Sequence, residues 1–196
     1  MERSTLDDII ERLRSTQSEL EAELNRLMTE KRKKFRYTMQ RGKVVFERSM
    51  QSWQSQQRTK AWQYLRDAPL MTILSAPLIY AMIIPLVILD ASTIVFQQIC
   101  FRLYGIPRVQ RSDYLIIDRH HLAYLNFIEA ANCVYCGYAN GLIAFVREVA
   151  SRLEQYWCPI KHARLMLDEH SRMQEFFDYG DADTYRQGLE DIRKDW

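Results

Sequence analysis

Residues 70–89 read LMTILSAPLIYAMIIPLVIL, from Leu70 to Leu89, twenty positions without an Asp, Glu, Lys or Arg. A helix rising about 1.5 Å per residue covers, over that length, the roughly 30 Å hydrocarbon core of a bilayer. The stretch therefore predicts a membrane-embedded segment. Apolarity resumes after Asp90 as Ala91–Leu103, interrupted by Gln97, Gln98 and Arg102, and Pro69, Pro77 and Pro85 punctuate the run. Three architectures fit: a single helix ending near Asp90 or Leu103, a re-entrant helical hairpin turning at Pro85, or a buried hairpin of a soluble protein. Arg58, Lys60 and Arg66 precede the run, and Arg102, Arg108, Arg111 and Arg119 follow it. Positive charge on both flanks does not orient a single span, and it favours a hairpin with both ends in the cytoplasm. Such a hairpin would be shallow, because Leu70–Tyr104 is shorter than two full spans. Asp90 would then lie near its turn, and a carboxylate inside a membrane is costly enough to mark a functional candidate. If the helix ends there instead, Asp90 is an interface residue. Trp62, Tyr64 and Tyr104 stand where an aromatic belt would form.

Toward the amino terminus, residues 1–30 form a coiled-coil candidate. Leu6, Leu13, Leu20 and Leu27 recur every seven residues, with Ile10, Gln17 and Leu24 at the intervening core positions. A β-branched residue and one polar residue at the first core position, with leucine at the second, fit a parallel dimer. The partner expected through residues 6–27 is a second copy or another protein; the competing reading is an amphipathic helix laid on this chain's own core. Residues 31–67 read as a basic, aromatic, amphipathic arm. Phe35, Met39, Phe46, Met50 and Trp53 recur at helical spacing beside Lys31, Arg32, Lys33, Lys34, Arg36, Arg41, Lys43 and Arg48. Beside an apolar run, such an arm points to an anionic lipid surface rather than to nucleic acid.

Past the embedded segment, taken as residues 68–104, the chain reads as a small helical domain over 105–167. Gly105-Ile106-Pro107 ends the preceding helix. Tyr114–Ile117 fits a short strand or a helix start. Leu122, Leu125 and Ile128 suggest a short helix ending near Asn132. Leu142, Phe145, Val146, Val149 and Leu153 line one face of a helix that starts after Asn140-Gly141. Within this domain Cys133, Cys136, Cys158 and His162 spell C-x2-C-x21-C-x3-H. Three thiolates and an imidazole are the ligands of a closed tetrahedral metal site, zinc by default and iron as the alternative. Cys133-Val-Tyr-Cys136 before Gly137 resembles a metal-binding turn. Cys158 before Pro159 would cap a last helix and set His162 one turn along it. A metal held so would clip both ends of the intervening helix. His120 and His121 are alternate ligands. A Cys133–Cys136 disulfide would leave Cys158 and His162 unexplained, and Cys100 reads as a buried small hydrophobe. Glu129 and Glu148 read as isolated carboxylates and His170 as solvent-facing. Residues 168–196 read as a partly ordered acidic tail.

Composition adds a boundary to this reading. The chain is 47% hydrophobic, with net charge +2. Scarce glycine and short β-branched runs make the fold class mainly α. The charged first thirty residues predict no cleaved secretory signal, which favours reduced thiols or metal ligands over disulfides. No Gly-rich phosphate loop, no G-x-S-x-G and no His-Glu-x-x-His occurs, so the familiar nucleotide, serine-hydrolase and zinc-protease signatures are missing.

The segment DRHHLAYLNFIEAANCVYCGYANGLIAFVREVASRLEQYWCPIKHAR, above all CVYC and YWCPIKHA, is similar to an uncharacterised family of bacterial membrane proteins. That resemblance implies a bacterial inner-membrane setting. The chain is thus expected to be a non-enzymatic, membrane-anchored, metal-binding protein with its metal domain in the cytoplasm, serving as a subunit or assembly factor of a membrane complex. A membrane redox or metalloenzyme component is the alternative.

Overall fold

The computed structural model describes residues 5–40, 43–164 and 166–196, with side chains described except at 5–8, 10, 39, 40 and 43. The described chain is mainly helical, as its composition implies. It divides into two compact units. One runs to Lys60 and takes in His121–Asn126; the other comprises Ala61–His120 and Phe127–Trp196.

The first unit opens with α1, Thr5–Lys34, thirty residues long. Every described side chain from Ile9 to Lys31 is exposed. Leu6 and Ile10 belong to the heptad pattern, but their side chains lie outside those described. The arm that follows is not helical throughout. Arg36 takes a left-handed φ of 49° and turns the chain out of α1. Strands β1, Tyr37–Gln40, and β2, Lys43–Phe46, then pair antiparallel, with Tyr37 opposite Phe46 and Thr38 opposite Val45. The Tyr37 and Phe46 rings sit 5.4 Å apart. Aromatic and β-branched side chains on both strands pack well on a pleated surface, which outweighs the helical spacing of Phe35, Met39 and Phe46. Arg41, counted in the charge of the arm, lies outside the described residues. Helix α2, Arg48–Gln56, resumes the helical course.

The second unit begins with α3, Ala61–Asp67. Then come α4, Leu70–Ala81, and α5, Ile83–Phe96. A π-helical turn over Gln97–Phe101 and the short α6, Arg102–Tyr104, complete a helical run of 35 residues from Leu70 to Tyr104. The hairpin expectation is corrected here. Pro85 has no N–H for the carbonyl of Ala81, so the helix tightens at Met82, whose N–H reaches Ile79 O at 3.2 Å. The ladder resumes with Leu86 N–H to Met82 O at 3.3 Å, and the chain does not reverse. Gly105, at φ 71°, ends the run as the sequence predicts. The Ile106 N–H folds back to Phe101 O at 2.9 Å, a glycine-terminated helix end.

Helix α7, Phe127–Trp157, is 31 residues long and about 46 Å from end to end. It runs in the same direction as α4 and α5. Tyr135 meets Tyr80 edge-on at 5.8 Å, Tyr138 reaches Asp90 further along, and Tyr156 stacks on Tyr104 at 5.0 Å. Two helices running the same way need a return connection, and residues 106–120 supply it as a strap along α7. Arg152 Nη1 holds Pro107 O at 2.7 Å near one end. Tyr114–Ile117, expected as strand or helix, is neither. The core lies where strap and helices meet: Phe101, Ile106, Val109, Leu142, Phe145 and Val149.

Beyond α7 the chain is extended rather than helical from Pro159. Phe177 N–H donates to Pro159 O at 2.9 Å, and Lys161 N–H to Phe177 O at 2.8 Å. The acidic tail holds a 3-10 turn, Ser171–Glu175, and a helix, α8, Ala182–Ile192, whose first turn is capped by Asp181 accepting the Thr184 N–H at 3.0 Å. Gln155 Nε2 donates to Ile192 O at 2.9 Å, and Arg193 Nε to Tyr156 O at 2.9 Å, so α8 is docked on α7.

Candidate functional site

The most distinctive surface belongs to the long helical run. From Leu70 to Leu89 no residue is buried. Leu70, Met71, Leu74, Leu78, Ile84 and Ile88 are all more than three-fifths exposed. From Asp90 onward the run acquires two faces: the inner one holds three polar residues and the fully buried Phe101, and the outer one shows apolar side chains beside Ser92, Gln98 and Arg102. Asp90, Thr93 and Gln97 point inward and are at most 7% exposed, while Val95, Ile99 and Leu103 point outward and are more than half exposed. A soluble helix hides its apolar stripe and shows its polar one. Buried Asp90, Thr93 and Gln97 beside exposed Val95, Ile99 and Leu103 depart from that pattern, and the exposed apolar side chains suit an apolar surrounding.

Two of the inward polar residues, Asp90 and Gln97, have hydrogen-bond partners in the strap and α7. Arg111, from the strap, forks onto Asp90 with Nη2 to Oδ2 at 2.6 Å and Nε to Oδ1 at 3.1 Å. The Tyr138 hydroxyl donates to Oδ2 at 3.0 Å. A two-pronged guanidinium–carboxylate contact is strong and directional. Gln97 Oε1 accepts the Val109 N–H at 3.1 Å, and Arg108 Nη1 donates to Gln98 Oε1 at 2.6 Å. Helix and strap are thus joined by polar contacts above an apolar core. The strap comes close because α7 has no side chain where it crosses. A Cβ at Gly141 would stand 2.7 Å from Tyr114 O and 2.9 Å from the Leu115 Cα; one at Gly137 would stand 3.4 Å from Ile116 O. Gly137 and Gly141 are four residues apart and share one helix face. Asp90 is therefore neither at a hairpin turn nor a bare interface residue, but one corner of a three-residue cluster.

The cysteines and histidines are not brought together. Cys133 and Cys136 lie within α7, not on a turn. Cys158 follows the end of that helix, and His162 sits in the extended segment beyond, not on a helix capped by Cys158. From Cys133 to Trp157 the uninterrupted helix spans about 36 Å, whereas zinc–thiolate bonds are about 2.3 Å long. One ion cannot bridge both pairs while α7 is intact. Among the described residues no group of three or more His, Cys, Asp or Glu side chains is placed to hold a metal ion, and this covers the alternates His120 and His121. The expected four-ligand clip, with zinc or iron, therefore does not fit this geometry. Cys133-x2-Cys136-Gly137 read as a turn because glycine and asparagine favour turns; inside a helix the same glycines serve close packing instead.

Two groups acquire partners that their isolation in the sequence hid. Glu148 Oε1 accepts Arg152 Nε at 2.8 Å and Arg172 Nη2 at 3.1 Å. Arg172 Nη1 in turn donates to Gln155 Oε1 at 2.8 Å. Burial acts to raise the Glu148 carboxyl, but the hydrogen bonds and charges of the two arginines prevail and hold it below the usual range for a glutamate. Arg152 lies four residues on along α7, whereas Arg172 comes from beyond it, and neither was read as a partner of Glu148 in the sequence. His170, expected to face solvent, is largely covered: Nε2 lies 2.9 Å from Glu154 Oε2, and its ring meets Phe176 at 5.5 Å.

Comparison of the chain with protein-family models, curated proteins and solved structures gives no match.

Proposed function

We propose that this chain is a non-enzymatic, membrane-anchored subunit or assembly factor of a bacterial inner-membrane complex, its folded part on the cytoplasmic side. The observation that carries this reading is the Leu70–Tyr104 helix, long and apolar enough to cross a membrane, with no buried residue from Leu70 to Leu89. Leu70–Leu89 supplies the length of the hydrocarbon core, and the two-faced part after Asp90 continues beside the folded unit. Basic residues precede and follow the run, and Trp62, which is 75% exposed, stands just before it. Lys31–Lys34 adds a cationic stretch suited to anionic headgroups. Both inward carboxylates, Asp90 and Glu148, are occupied by arginines, which suits holding a structure rather than moving protons. A metal clip has no part in this reading, because its four ligands lie at two ends of α7.

Washing native membranes with alkaline carbonate tests the anchor. The chain stays in the pelleted membrane; release into the supernatant overturns the reading. The exposed Cys158 thiol tests sidedness. A membrane-impermeant maleimide labels it in inverted vesicles and not in intact spheroplasts, and the opposite pattern removes the cytoplasmic placement.

A further inference from the structure

Helix α1 carries an apolar stripe that nothing on its own helix covers. Leu13, Leu20 and Leu24 are 60–65% exposed, and Ile9, Leu27 and Met28 are 41–50% exposed. Leu13, Leu20 and Leu27 recur every seven residues along this thirty-residue helix, with Leu24 at the other core position and Ile9 and Met28 beside the stripe. A stripe of this kind, with period 3.5, fits one face of a second helix. The charges beside it decide which helix and which way it runs. With Leu13, Leu20 and Leu27 at one core position and Gln17 and Leu24 at the other, the flanking residues are Ile9, Thr16, Glu23 and Glu30 on one side and Arg14, Glu21 and Met28 on the other.

In a parallel pair of identical helices, each residue on the first side meets the residue five places later on the second side of its partner. Ile9 then meets Arg14, Thr16 meets Glu21, and Glu23 meets Met28. None of these is a pair of opposite charges. In an antiparallel pair, residues on the same side meet each other. With Leu13 facing the partner's Leu24 and Gln17 facing the partner's Leu20, Arg14 comes alongside the partner's Glu21, and Glu21 alongside the partner's Arg14. The two-fold axis makes both ion pairs from one choice of residues. Gln17, the polar member of the stripe, leans out of such a core: its Nε2 donates to Glu21 Oε1 at 2.9 Å along the same helix, next to where the arriving Arg14 would sit.

We infer that α1 is the self-association surface of this protein and that it takes a second copy of itself antiparallel, with the axis between Gln17 and Leu20. The charge placement selects this over the parallel arrangement that the Leu and Ile pattern alone suggests. The inference rests on α1 and not on the membrane reading, and either can fail without the other.

Disulfide trapping in the full-length chain tests it. Cys100, Cys133, Cys136 and Cys158 are replaced by serine, and the resulting protein is compared with the parent by circular dichroism and thermal melting. Leu13→Cys and Leu24→Cys versions with different tags are then co-expressed, purified in detergent and oxidised. Antiparallel pairing gives a cross-link between the two versions and none within either. A cross-link of Leu13→Cys to itself shows a parallel pair, and no cross-link at all shows no pairing through this stripe; either overturns the inference. A charge exchange in the parent chain provides a route that keeps the native cysteines. Arg14→Glu weakens self-association by about fivefold, Glu21→Arg does the same, and the double exchange restores it. Equal association of all four proteins by light scattering overturns the inference independently of the cysteine replacements.

Discussion

The first and second parts of the long helix differ in what surrounds them. Leu70–Leu89 carries no charge and touches its own protein through Leu86, which packs against the core, and through Ile79 and Tyr80, the latter hydrogen-bonded to Asn132 and the former's carbonyl accepting the Tyr135 hydroxyl at 2.8 Å. Asp90–Tyr104 is two-faced, with Asp90, Thr93, Gln97 and Phe101 turned to the strap and α7. The lesson is that hydropathy locates the run but not which of its residues the protein covers. In Ala91–Leu103, Thr93 and Gln97 are buried while Ser92, Gln98 and Arg102 stay exposed.

Three measurements test that contrast. The largest effect is expected within the second part, between neighbours on opposite faces. Phe101 is fully buried and Leu103 is 75% exposed. Phe101→Ala should lower stability by about 3–5 kcal/mol, through lost burial and the cavity left behind. Leu103→Ala should shift it by less than about 0.5 kcal/mol. Chemical denaturation in a fixed detergent compares them, and equal losses would mean that the two faces are not distinct. A smaller effect is expected at the polar corner. Asp90→Ala leaves Arg111 and Tyr138 without their acceptor and should cost about 2 kcal/mol by the same assay. A stabilised Asp90→Ala protein would show that burying the carboxylate costs more than its hydrogen bonds return. The smallest effect is a pH dependence away from the helix. Glu148 binds its proton less readily folded than unfolded. Its contribution is therefore complete above the ordinary glutamate range and drains away as pH falls through the depressed folded value. Melting temperature followed across acidic pH should fall less steeply for Glu148→Gln than for the parent, and identical slopes would remove this assignment.

The residues that were readable from sequence share a property: their signal is local. The charge-free run from Leu70 to Leu89 and the helix end at Gly105 depend on neighbours in the chain. What was not readable depends on elements far away in sequence. Asn132, Cys133-x2-Cys136-Gly137 and Asn140-Gly141 carry turn chemistry, yet the strap crossing at Tyr114–Ile117 turns two of those glycines into contact points within one continuous helix. The one available hint was their four-residue spacing, which puts both on the same face. The hairpin at Tyr37–Phe46 was hidden differently: its side chains satisfy a helical spacing and a strand alternation at once, and cross-strand pairing decides between them. Arg172 and Arg111 could not be matched to their carboxylates at all, since those contacts span 24 and 21 positions.

The shared direction of α5 and α7 also has a consequence in time. A ribosome emits Asp90 before either of its partners. Arg111 follows 21 residues later and Tyr138 48 residues later. At about 5–20 residues per second, the carboxylate waits on the order of 1–4 s for the arginine and 2–10 s for the tyrosine. During that interval the inward face of α5 is an uncompensated polar stripe on an otherwise greasy nascent helix. The strap must then double back before α7 can close over it, so the carboxylate of Asp90 is captured only by segments translated after it.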